Sequence, residues 1–131
     1  MALVATRKPL LGNLVKHEYA TNHGYCREVA VVNVAEATEL SVGSVLGKVT
    51  ATGKFVPRDP AGTDGSEVAA AIVVENKSVA ATTDTDVAVI VRGPAVLADG
   101  ALVFDVAHNA GQIETAISEI ESLGVVVRKQ V

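Results

Sequence analysis

The chain has no tryptophan, 3% aromatic residues, a single cysteine and four prolines among 131 residues. Each shortage removes a class of protein. Without aromatic volume the core must be assembled from Val, Ala, Leu and Ile, and β-branched side chains of that kind pack well on a pleated surface. The lone cysteine, Cys26, excludes an intramolecular disulfide framework and suits a reducing compartment, where its default role is that of a small buried hydrophobe. Positive charge is also short, since 11 Lys and Arg against 15 Asp and Glu give a net charge of −4. A nucleic-acid-binding face needs the opposite balance to displace counterions from phosphates. The adjacent pairs Arg7-Lys8 and Arg128-Lys129 read as solvated charges near the termini. No uncharged apolar stretch approaches the roughly 18 to 20 residues of a membrane span. The opening MALVATRKPL places apolar residues before the charges, the reverse of a secretory signal. A soluble chain made in the cytoplasm is the expectation.

What is present is 49% apolar residues in 13.4 kDa, enough to bury one compact core without staples. Residues 1–28 differ from the remainder, mixing scattered apolar residues with Pro9, Gly12, Asn13, Asn22, His23 and Gly24, and holding no period of 2 or 3.6. Two readings stand for this segment: an arm that orders on a partner through apolar anchors such as Leu3, Val4, Leu10, Leu11 and Leu14, or a terminal segment packed on its own domain. The division adopted is an arm over 1–28 and a β-rich domain over 29–131.

Within that domain the residues predict strands at 29–34, 44–49, 54–56, 69–74, 87–91, 95–97 and 125–127, with 87–91 (VAVIV) central. Glu36 to Glu39 reads as a polar turn, and Asp99-Gly100, flanked by apolar runs, as a hairpin turn. Gly53 suits a positive φ in the tight turn Ala51-Thr52-Gly53. In the loop from Pro57 to Ser66, Pro60 fixes φ, Asp59 and Asp64 cap amides, and Gly65 permits a left-handed turn. One amphipathic helix is expected over 110–123, with Ile113, Ala116, Ile117, Ile120 and Leu123 inward and Glu114, Ser118, Glu119, Glu121 and Ser122 facing water. Asn109 is its expected N-cap and Gly124 the glycine that follows it. The class is α+β, predominantly β.

The densest reactive set is His17, Glu18, His23 and Cys26, whose spacing matches no zinc pattern; His108 reads as a loop or capping residue. A Cys26–His23 nucleophile pair has nothing to orient it, and the chain contains no GxSxG elbow, P-loop or GxGxxG. Asp59 and Asp64 are better explained as turn caps than as catalytic carboxylates. Short valine strands around Gly43 and Gly47 also occur in biotinyl and lipoyl carriers, but Lys48 and Lys54 lack the flanking residues of a modified lysine. The expectation is no enzyme, no cofactor and no metal.

The order Val45-Leu46-Gly47, Thr52-Gly53-Lys54, Thr63-Asp64-Gly65 and Ala70-Ala71-Ile72-Val73 resembles the head decoration proteins of tailed bacteriophages, the family of lambda's capsid-stabilising protein D. Ala71 stands where glycine is common, and the first 40 residues are longer and differently composed than the family pattern. The resemblance implies a small β-clip-like domain with a late helix. It further implies a homotrimer that cements the outer surface of an expanded capsid through the major capsid protein lattice, with no nucleic acid or membrane partner. A small β-rich ligand-binding or carrier domain is the alternative.

Overall fold

The computed structural model describes residues 14–19 and 24–129. Ten strands are present among them: β1 (Val15–Glu18), β2 (Arg27–Val32), β3 (Thr38–Leu40), β4 (Val45–Lys48), β5 (Phe55–Pro57), β6 (Ala69–Val73), β7 (Lys77–Val79), β8 (Thr85–Ile90), β9 (Ala95–Ala98) and β10 (Val125–Arg128). A helix, α1 (Ala110–Glu121), precedes β10. Among the described residues the domain is therefore mostly β, with one helix element, α1, near the C-terminus, as the composition implied.

Strands β2, β5, β4, β6 and β8 close into a barrel in that order. Its interior takes Ala30, Val32, Leu46, Ala71, Val73, Val87 and Val89, all buried, and the small side chains suit a narrow lumen. The outer wall of the same strands contributes Val45, Ala69, Ile72 and Ile90 to a second core. That core is completed by Leu97 from β9, Ile120 from α1 and Val125 from β10. Successive residues of β4, β6 and β8 thus enter opposite cores, which is why AAAIV and VAVI are continuous apolar runs and not alternating ones. The expected central position of the VAVIV run is realised, because β8 pairs with both β2 and β6.

Outside the barrel, β1, β9 and β10 form a three-stranded sheet with β9 in the middle. Strand β10 runs parallel to β9, and α1 supplies the crossover that a parallel pair needs. The helix starts at a capping box in which Asn109 accepts from the Gln112 amide at 2.8 Å and Gln112 accepts from the Asn109 amide at 2.9 Å. Gly124 follows it with φ of 88°. Ala116 and Ile120 are fully buried, while Ile113, Ile117 and Leu123 are half-buried on the same face.

Three local expectations are corrected. Glu36 to Glu39 is not all turn, because Thr38–Leu40 pairs antiparallel with Lys77–Val79; only Leu40 and Val79 are buried there, so the apolar signal is two residues strong. Asp99-Gly100 does not close a hairpin but opens a 3-10 turn over Asp99–Ala101, and the chain beyond it bridges Ser44 through Val103. Glu119 does not face water; it is turned inward to a buried arginine.

Candidate functional site

The loop from Pro57 to Ser66 is shaped by the residue types that predicted it. Pro60 occupies the second position of a turn closed by the Gly62 amide donating to the Asp59 carbonyl at 3.0 Å, and the Asp59 carboxylate accepts from the Ala61 amide at 3.0 Å. Asp64 accepts from the Ser66 hydroxyl at 2.5 Å and the Ser66 amide at 3.1 Å. These bonds, the hydroxyl first, hold the Asp64 carboxyl below the usual carboxylate range. Gly65 has φ of 106° and Gly53 of 70°.

Beneath the loop lies an ionic cluster that periodicity did not reveal. Arg58 is buried, and its Nε donates to Glu119 Oε1 at 2.9 Å, an oxygen that also accepts from the Ala69 amide at 2.9 Å. Arg58 Nη1 lies 2.8 Å from His108 Nε2. A guanidinium only donates, so His108 Nε2 accepts and its Nδ1–H donates to the Val106 carbonyl at 2.6 Å. Phe104 packs on the His108 ring at 4.6 Å. The cluster ties α1 to the barrel and gives His108 a structural position.

The described part of the 1–28 segment is built into the domain. Strand β1 pairs with β9, and Leu14 is fully buried in the second core beside Leu97 and Ile120. Leu3, Val4, Leu10 and Leu11 lie outside the described residues, as does His23. Glu18 is bound by Arg27 through both carboxylate oxygens at 2.8 to 3.2 Å, which raises the arginine pKa further, and Cys26 is fully buried with its thiol 3.4 Å from the Pro94 carbonyl. Glu18, Arg27 and Cys26 thus serve to fix this segment. Of the two lysines considered as carrier sites, Lys54 pairs with Asp84 at 2.9 Å and Lys48 lies over the Phe55 ring at 5.8 Å.

Both tyrosines of the chain are exposed and touch each other. Tyr19 and Tyr25 are 55% and 44% accessible and meet edge to face with centroids 5.6 Å apart. Arg92 lies 5.6 Å from the Tyr25 ring, donates to the Tyr25 carbonyl at 2.6 Å and pairs with Glu28. Val29, a little further along β2, is 68% accessible. Aromatic and arginine side chains of this kind are enriched at protein interfaces. Sequence reasoning missed this surface, although two tyrosines in a chain so poor in aromatics were the available signal.

A family model for bacteriophage lambda head decoration protein D matches residues 4–125, and the chain belongs to that family. It is a structural protein of the phage head, in a family of capsid decoration proteins. No curated protein matches the chain.

Proposed function

We propose that the protein binds the outer surface of the expanded phage capsid as a homotrimer and stabilises it against internal DNA pressure. The family match over residues 4–125 carries this reading. Three linked copies bridging several capsid subunits gain avidity without any single strong contact. A ligand that binds only the expanded lattice stabilises that state by linkage. The net charge of −4 suits a protein synthesised in the host cytoplasm that makes no contact with packaged DNA. The exposed Tyr19–Tyr25 pair supports a protein partner.

The N-terminal arm contributes to capsid binding by strand addition, with Leu3, Val4, Leu10 and Leu11 filling pockets. Leu14 is core and Val15 begins β1, so the capsid-binding role is proposed for the residues before them. A variant lacking residues 2–13 is expected to remain a trimer by native mass spectrometry while its affinity for expanded heads falls by about a hundredfold or more. Unchanged head binding would refute the arm's role; a monomeric full-length chain would refute the trimer.

A further inference from the structure

Beside the loop lies an open groove of about 510 Å³. Val34, Val49, Val56, Pro57 and Val106 form its floor, and all but Val34 remain partly accessible. Glu36, Asp59 and Asp64 line it as well, and no Lys or Arg does. Among the described residues, the ion pairs leave all three carboxylates without a cation. Arg58, next to Asp59 in the chain, points inward to Glu119. Asp59 and Asp64 are held in place by their turn hydrogen bonds, so the negative field over the apolar floor is fixed in direction. Such a groove fits an extended, apolar and cationic segment.

The chain contains one. Residues 1–13, MALVATRKPLLGN, include Arg7 and Lys8 and no acidic residue, with Leu3, Val4, Leu10 and Leu11 on either side. Pro9 biases Lys8 towards extended backbone. The segment enters the domain at β1, where Val15 pairs with Leu97, and the groove residue Val106 follows Leu97 by nine positions. Nine residues span at most about 32 Å, while Lys8 and Arg7, seven and eight residues ahead of Val15, extend about 25 and 28 Å along the backbone, and their long side chains add to that reach.

We propose that, in the free protein, residues 1–13 dock in this groove of the same chain, with Arg7 and Lys8 against Glu36, Asp59 and Asp64 and apolar side chains on the valine floor. Covalent attachment sets a local concentration in the millimolar range, which favours the chain's own segment over that of an unassociated copy, and the mixed-label sample below separates it from a neighbour's segment within a trimer. Docking covers apolar surface on both sides until a stronger partner competes for the segment. The inference rests on the groove and the segment, and it does not require the capsid reading.

The test uses the full chain carrying Thr6→Cys with a nitroxide label, Cys26 being buried and protected from labelling. Paramagnetic broadening of amide signals is expected at Val34 to Thr38 and at Val106. It should weaken severalfold in about 1 M salt, where the Debye length falls to about 3 Å, and in the Arg7→Glu/Lys8→Glu variant. Absence of broadening at those amides, or broadening equal in that variant, overturns the proposal. A sample mixing labelled chains with isotopically enriched unlabelled chains distinguishes the source. Broadening that appears there at full strength assigns the groove to a second copy and contradicts docking within the chain.

Discussion

At Gly65 an added methyl group has no space. A Cβ would lie 2.4 Å from Thr50 Oγ1 and 2.5 Å from the Lys48 carbonyl, at a φ of 106° that L residues rarely adopt. Gly53 shares the positive φ, at 70°, but its nearest neighbour would be the Lys48 side chain at 3.8 Å. The two glycines therefore separate backbone strain from collision. Gly53→Ala is expected to cost about 1 kcal/mol, the usual penalty for a left-handed L residue. Gly65→Ala should cost about 3 kcal/mol or more, because overpacking adds to that strain. Urea denaturation of both variants measures the difference, and equal costs would contradict it. Turn residues of this kind were legible in the sequence because their chemistry is local: Pro60, Asp64 and Gly65 each act within a few positions of themselves. Glu119 was not legible, because its partner Arg58 lies 61 residues away and helical periodicity alone placed it in water.

At the scale of elements, α1 is held by more than its apolar stripe. Arg58 is 3% accessible and Glu119 is 21% accessible at the side chain, so removing the carboxylate strands a buried guanidinium and frees the Ala69 amide. Glu119→Ala is expected to destabilise the domain by about 3 kcal/mol. Glu114→Ala, on the exposed face of the same helix, should fall within about 0.5 kcal/mol of the parent. Thermal or urea unfolding compares them, and a Glu119→Ala cost as small as that of Glu114→Ala would show that the cluster does not clamp the helix. The helix itself was readable from its caps and its 3.6-residue period, since Asn109, Gln112 and Gly124 mark its ends independently of the rest of the fold. Strands β3 and β7 were not, because each is three residues long with a single buried side chain. Asp99-Gly100 misled for a related reason: the turn chemistry is present, but β9 already has both neighbours in β1 and β10.

For the whole molecule, the residues specify a mostly β domain but not how its strands close. The barrel depends on β2 meeting β5 through Val32 and Phe55 and β8 through six paired residues, contacts between segments far apart in the chain. The sharing of β4, β6 and β8 between two cores appears in the sequence only as valine and alanine enrichment. Leu14 packs in one of those cores, and the residues that precede it in the sequence, 1–13, are basic and apolar. That segment has two proposed engagements, with the acidic groove in the free protein and with the capsid once bound. They are compatible if the capsid competes for it. Membership of the decoration family gives the molecule its place on the phage head, and in the proposed function it recognises one state of that head. Co-sedimentation of the full chain with purified expanded and unexpanded heads tests this most directly. Saturable binding to expanded heads in multiples of three copies, and none to unexpanded ones, is expected; equal binding to both, or to neither, would contradict recognition of the expanded state.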